Sequence, residues 1–304
     1  MPTLRIPLVE SLPVEKSDEL ARRIYFISAQ ILDFSLVRRD DAITAVDLVS
    51  DEPLDETAFA EKLAFVVAND LASQRVLRPK VMWRSAAERT PAGDTFDRLT
   101  AAGMADVMGE GQVAVAEPLV SLLSWFDTAV RTMAVAEFDA REYRYPTLVP
   151  MRTIEECDYF GSFPQYLMLV TRLHCDVDVY RTVQREYERR GRVDTSILRA
   201  CDNVDYCLPP TMCFHTFGQY RNRTLPAGTL TTVTARGKAF RFESRYSTTL
   251  ERLWDFTIRE IVFMGQRPDV LAARKRLMQM VTEFMDDLGP VSYTHLTLPT
   301  NREV

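Results

Sequence analysis

Residues 240–243 read Phe-Arg-Phe-Glu. After an eight-residue connection the chain continues Arg252-Leu-Trp-Asp-Phe256-Thr-Ile-Arg-Glu260-Ile-Val-Phe. This composition predicts a strand, a polar loop and a returning strand. Arg241 and Glu243 are two apart, so on a strand their side chains share a face. Arginine can fork onto a phosphate and glutamate can accept from an exocyclic amine, so the pair suits a ligand that carries both. Trp254 and Phe256 also share a face and offer an aromatic platform for a base. The same Arg and Glu would equally serve as a plain cross-strand ion pair. The residues by themselves leave both readings open.

The other chemistry-bearing residues are cysteines and histidines. Five cysteines in a chain of 304 residues read as reduced thiols and not as a disulfide framework. Cys201, Cys207, Cys213 and His215 lie close in sequence, but they contain no CxxC pair, the usual signature of a structural zinc site. His215 is expected to be a hydrogen-bonded histidine of the core or a loop, near the thiol of Cys213. His174 and Cys175 are adjacent and would point to opposite faces of a strand, so they read as packing residues. Arg185, Arg189, Arg190 and Arg192 form a local basic run diluted by Glu186 and Glu188, which is read as a solvated helix end. The net charge of −6 lacks the basic excess of a broad nucleic-acid-binding surface.

These residues need elements to position them. Residues 4–9, 42–49 and 81–83 alternate as strands, while 18–27 and 55–71 carry helical periodicity, with Asp55 as the N-cap of the second helix. Together they predict a small α+β domain over residues 1–90. The polar Pro/Gly stretch Ser85–Asp94 forms the boundary. A second domain starts near residue 97. Leu119, Leu122, Leu123, Phe126, Val130 and Met133 share one face of a long amphipathic helix over 117–137. The segment 142–150 is a strand interrupted by Pro146 and Pro150, which places it at an edge or interface. A helix covers 179–190. Two strands, 229–234 and 239–244, are expected to be joined by a hairpin at Ala235-Arg236-Gly237-Lys238. A strand follows at 252–264, and Pro268 opens a last helix. No apolar run reaches 18 residues, so no transmembrane helix is expected. With no signal-peptide pattern at the N-terminus, the expected compartment is the cytoplasm.

The segment 240–265 resembles motif two of class II aminoacyl-tRNA synthetases: Phe-Arg-x-Glu, a loop, then Arg-x-x-x-Phe. The resemblance implies that Arg241 is catalytic and holds the ATP α-phosphate. It implies that Glu243 reads the adenine amine, that Arg252 is the second arginine and that Phe256 stacks on adenine. Residues 117–137 followed by Tyr143–Pro146 resemble motif one, which implies a homodimer with Pro146 at its interface. Over roughly residues 97–289 the chain is most similar to methanogen-type seryl-tRNA synthetases and their homologues, the amino acid:[carrier protein] ligases. The stretch CLPPTMCFH at 207–215 resembles the segment that supplies their first zinc cysteine, which implies Cys213. Glu260 matches their glutamate ligand. The third ligand in that family is a cysteine near motif three.

The fold class expected on this basis is α+β: a class II synthetase-like antiparallel sheet flanked by helices, with the small N-terminal domain added. The implied activity is ATP-dependent, Mg2+-assisted activation of a small amino acid, glycine or alanine, as its adenylate. The amino acid then passes to the phosphopantetheine thiol of a carrier protein, and Zn2+ holds its amine. A seryl-like tRNA synthetase and a non-catalytic paralogue are the alternatives. The acidic charge and the small size of the first domain count against tRNA as a partner. Residues 291–304 (VSYTHLTLPTNREV) resemble translated sequencing-adapter sequence and are expected to be a foreign tail. On that expectation motif three is missing and the chain as it stands is inactive.

Overall fold

The computed structural model describes residues 3–28, 30–50, 52–72, 80–84, 94–242, 250, 252–288 and 293–296. The chain forms two compact units, one built mainly from residues 1–91 and the other from 92–243 with 248–284.

The first unit opens with β1 (Thr3–Pro13), α1 (Ser17–Ile24), β2 (Ile31–Arg39), β3 (Ala42–Ser50), α2 (Glu56–Val66) and β4 (Lys80–Arg84). Its sheet has the antiparallel order β1-β3-β2. Ile6, Ile43, Val46 and Leu48 from the sheet meet Leu20, Ile24, Phe59 and Leu63 from the helices in one core. The Asp55 side chain caps α2 by accepting from the Ala58 N–H at 3.0 Å, as its sequence position predicts. β2 is absent from the sequence reading. Its apolar residues, Ile31, Phe34 and Leu36, are interrupted by Asp33 and Ser35, too short an alternation to stand out beside β3.

The second unit begins with α3 (Thr95–Ala101) and a hairpin of β5 (Ala105–Gly109) and β6 (Gln112–Val115). Then come α4 (Leu119–Phe138), β7 (Arg141–Tyr143), β8 (Val149–Pro150), α5 (Met151–Glu156), α6 (Tyr159–Ser162), β9 (Leu169–Val170), α7 (Val177–Arg190) and β10 (Tyr206–Cys207). The predicted site residues lie on or beside α8 (Cys213–Tyr220), β11 (Thr231–Phe240) and β12 (Asp255–Met264), and α9 (Arg267–Leu288) follows and meets α4 through Phe284 and Arg276. β13 (Tyr293–Leu296), in the segment expected to be foreign, belongs to the first unit, where it pairs antiparallel with β4.

The central sheet has the order β12-β11-β7, with β7 at an edge. The single strand expected over 142–150 is instead split around Pro146, with β7 in this sheet, no strand at 144–148, and β8 in a second sheet. β11 and β12 are antiparallel in unbroken register from Thr231↔Met264 to Phe240↔Asp255. The expected hairpin at 235–238 does not form: β11 runs straight through it. Gly237 serves a close approach instead of a turn. A Cβ there would lie 2.5 Å from the Met212 Sδ and Cε atoms. The glycine therefore lets the residue preceding α8 press onto the strand.

The register sorts the two faces. Ala235 pairs with Glu260, Gly237 with Ile258 and Ala239 with Phe256, and directly opposed residues point the same way. That face, lined on β11 by small residues, receives Met212 ahead of α8. Arg259 points to the opposite face, where α4 packs. There the Arg259 guanidinium donates to both Asp127 oxygens at 2.6 and 3.0 Å and reaches Glu142 at 3.1 Å. Its side chain is only 6% exposed. Arg131 of α4 also pairs with Glu142, at 2.7 Å. This network fixes α4 and β7 to the sheet.

By length and composition α4 is apolar enough to cross a membrane, which the search for an uninterrupted apolar run missed. Its leucines, valines and alanines offset Asp127 and Arg131, and both of these are held in the ion-pair network.

Candidate active site

The end of β11 is held by two consecutive prolines. Proline has no N–H, but its carbonyl accepts freely. The Phe240 N–H donates to the Pro209 carbonyl at 2.7 Å, and Arg241 Nε donates to the Pro210 carbonyl at 2.9 Å. Across the strand, the Arg241 N–H donates to the Trp254 carbonyl at 3.0 Å. The guanidinium is thereby carried over the Phe256 ring, 5.4 Å from its centroid. Arginine has five N–H donors, so one bond to Pro210 leaves capacity for an anion.

Trp254 packs beside this pair. Its ring lies 4.8 Å from that of Phe242. Its backbone N–H donates to the carbonyl of Gly111, at the tip of the β5–β6 hairpin, at 2.7 Å. Gly111 has φ +64°, and a Cβ there would sit 2.4 Å from the indole. Only glycine allows the tip to close on the tryptophan. Gly111 is absent from the sequence reading, and a Glu-Gly turn flanked by alternating residues at 105–115 was the available signal.

Four residues along β12 from Phe256, Glu260 stands on the same face. Its carboxylate faces the Cys213 thiol and the backbone N–H groups of Met212 and Cys213, with the Arg241 charge nearby. Burial nevertheless dominates and raises the carboxyl above its ordinary range. Burial, reinforced by Glu260, pushes the Cys213 thiol up to about 12. A divalent cation between the two groups would oppose both shifts, because it favours the carboxylate and the thiolate.

The structure therefore brings Arg241, Phe256, Glu260 and Cys213 together. Arg252 is exposed ahead of β12. Glu243 lies outside the described residues. Among the described residues no three His, Cys, Asp or Glu side chains assemble as metal donors. Cys213 and Glu260 are thus two donors, one short of the three that an open zinc site uses. Cys201, Cys207 and His215 do not complete them. Cys207 is fully buried in an apolar cluster with Val149, Ile154 and Phe214. The His215 ring stacks on Tyr145, and among the described residues its buried Nε2 has no hydrogen-bond partner, contrary to the satisfied histidine expected from the sequence.

The basic run on α7 is a solvated helix end. Arg189 and Arg190 pair with Glu186, and Arg190 also pairs with Asp194. A cavity of about 430 Å³ lies between α7 and residues 195–200, with Val183, Tyr187 and Ile197 among its lining, and none of the four clustered residues borders it.

No protein-family profile matches the chain. Amino acid--[acyl-carrier-protein] ligase 1 of Bradyrhizobium diazoefficiens is 29% identical over 179 residues, 59% of this chain and 51% of that protein. The M. kandleri seryl-tRNA synthetase, solved with A. aeolicus tRNASec, superposes with a TM-score of 0.65 at 18% identity. That match covers 85% of this chain and 52% of the synthetase. The chain has the fold of a class II aminoacyl-tRNA synthetase catalytic core. The Giardia lamblia prolyl-tRNA synthetase, solved with prolyl-adenylate, aligns at 13% identity with a TM-score of 0.48, over 67% of this chain and 38% of that one. The class II core seen here spans about half the length of the ligase and of the seryl enzyme. The ligase match agrees with the resemblance carried by residues 240–265.

Proposed function

We propose that the chain carries the ATP- and amino-acid-binding wall of an enzyme that activates a small amino acid, glycine or alanine, and loads it onto a carrier protein. The observation that carries this reading is the single sheet face on which Arg241, Phe256, Glu260 and Cys213 meet. The 29% identity to an amino acid--[acyl-carrier-protein] ligase supports it.

On this reading Phe256 stacks on adenine and Arg241 takes the α-phosphate, with Arg252 as a second arginine and Glu243 as the acceptor of the adenine amine. A carboxylate oxygen of the amino acid attacks the α-phosphorus, and the bond to the bridging oxygen breaks. Pyrophosphate leaves, and Mg2+, when bound, would neutralise its charge. The phosphopantetheine sulfur, as its thiolate, then attacks the adenylate carbonyl. The carbon–oxygen bond to phosphate breaks, AMP leaves and a thioester remains. Neither step demands a protein base at the reacting atoms, so positioning and a fixed cation at the phosphoryl group carry the rate. With a third donor, zinc at Cys213 and Glu260 would hold the amino acid's α-amine close to the nucleotide. The exposed apolar residues of α4, Leu122, Leu123 and Trp125, together with Pro146, are proposed as a homodimer contact. The compartment proposed is the cytoplasm.

The deciding experiment is amino-acid-dependent ATP–pyrophosphate exchange, run on this chain and on one extended to its relatives' length. Transfer to tRNA and to a phosphopantetheinylated carrier protein is measured next. Absence of exchange with every small amino acid in both chains would refute the ligase and the synthetase alike, and transfer to tRNA alone would select the synthetase. Cys213→Ser should lose bound zinc by elemental analysis of the extended chain; unchanged metal content removes Cys213 from the ligand set.

A further inference from the structure

α8 has eight residues, too few for a helix to be stable without its neighbours. Its position is therefore set by what it touches. One side is anchored in apolar packing: Phe214 joins Val149, Ile154 and Cys207 and meets the Tyr159 ring edge-on at 5.2 Å. A Cβ at Gly218 would lie 3.3 Å from Thr153 Oγ1, so the helix lies close against α5. Just past its end, Arg221 pairs with Glu156 at 2.6 Å.

Three further contacts on α8 come from one residue of the segment after β7. The Tyr145 hydroxyl donates to Gln219 Oε1 at 2.6 Å and lies 3.2 Å from Thr216 Oγ1. The Tyr145 ring stacks on His215 at 5.1 Å with the planes 15° apart. Tyr143 continues the column, 5.7 Å from Tyr145 and 9° from parallel. Since the buried Nε2 of His215 has no partner among the described residues, ring stacking is the contact seen there to hold that side chain. Cys213 is the first residue of this helix, and its backbone N–H and that of Met212 face Glu260.

We propose that Tyr145 is a positioning residue that seats α8, and through it sets Cys213 and the two backbone N–H groups against Glu260. It touches α8 at residues 215, 216 and 219, and acts on Cys213 only through the helix. The consequence for catalysis rests on the ligase reading, whereas the seating of the helix does not.

The test measures alkylation of each cysteine by iodoacetamide, mapped by mass spectrometry, in the unmodified chain and in Tyr145→Phe and Tyr145→Leu. Phe keeps the stack and removes the hydroxyl bonds, while Leu removes both. Cys213 labelling should rise about tenfold in the Leu variant and a few-fold in the Phe variant, the scale of losing one or two modest interactions that oppose local opening. Cys201, whose thiol is held by the Ile197 carbonyl away from α8, should keep its rate. Gln219→Leu, which leaves the Thr216 contact in place, should give part of the Phe effect and add nothing to it in the double variant. An unchanged Cys213 rate in both Tyr145 variants overturns the proposal, and so does an equal rise at Cys201, which would mean general loosening. In exchange assays of the extended chain, Tyr145→Phe should raise KM for the amino acid and leave KM for ATP unchanged, because Arg241 and Phe256 hang on β11 and β12. A wild-type protein with no exchange would speak against the ligase reading and leave the alkylation result to decide the role of Tyr145.

Discussion

Gly237→Ala is expected to destabilise the second unit by an amount that depends on Met212. The added Cβ would lie 2.5 Å from the Met212 Sδ and Cε and 3.5 Å from its Cγ. Met212 is 2% exposed, so its side chain has little room to retreat. Overpacking of this kind costs about 1–3 kcal/mol. Alanine in place of glycine within a strand returns about 0.5–1 kcal/mol. The net expectation is therefore a loss of about 1 kcal/mol. Met212→Ala alone should cost about 2–5 kcal/mol through the cavity it leaves. In the Met212→Ala background the new methyl group enters vacated space, so the same Gly237→Ala change should stabilise by about 0.5–1 kcal/mol. The sign reversal is the signature of the close approach. Urea unfolding of the unmodified chain, the two single variants and the double variant measures it. A common Trp83→Phe background leaves Trp125 and Trp254 to report on the second unit. Effects that add to within about 0.5 kcal/mol would refute the packing argument. Glycine at 237 would then need another explanation.

Two further outcomes follow from the same structure. Gly111→Ala should lower Tm, since a positive φ costs about 1 kcal/mol for a residue with a Cβ and the indole of Trp254 must also move; an unchanged Tm and unchanged Trp254 emission would show that the hairpin tip does not close on the tryptophan. Asp127→Asn should cost about 3 kcal/mol, the low end for breaking a buried pair, because Glu142 still faces Arg259. The hydrogen bond from Arg259 holds the Asp127 carboxyl below its ordinary value. Its contribution is therefore present above the unfolded-state value, about 3.9, and is lost as pH falls through the lower folded value. Chemical unfolding between about pH 5 and pH 2 should show a shallower pH dependence in the Asn variant, and identical slopes would remove Asp127 from the acid response.

Much of the site was legible because a strand has period two. Phe256 and Glu260 differ by four, so once 255–264 is a strand they must share a face, and Arg259 must take the other. Arg241 could be placed by its spacing from Phe256 within a known motif. The strand that carries Arg241 was harder to read. The Arg236-Gly237-Lys238 stretch has the composition of a turn, and composition cannot distinguish a glycine needed for its backbone angle from one needed for its missing side chain. The atom that decides between them, Met212 Sδ, belongs to a residue far back along the chain. Tyr145 was hidden for a related reason. It sits one residue before a proline in a segment with little regular structure, and its partners at 215, 216 and 219 form a helix too short to announce itself by periodicity. Motif spacing finds groups that must meet a ligand, because the ligand has a fixed shape. The groups that hold those residues in place answer only to the surrounding packing, so many sequences can supply them. That is why Arg241, Phe256, Glu260 and Cys213 could be named from the sequence, while Asp127 and Tyr145 could be found only from their contacts.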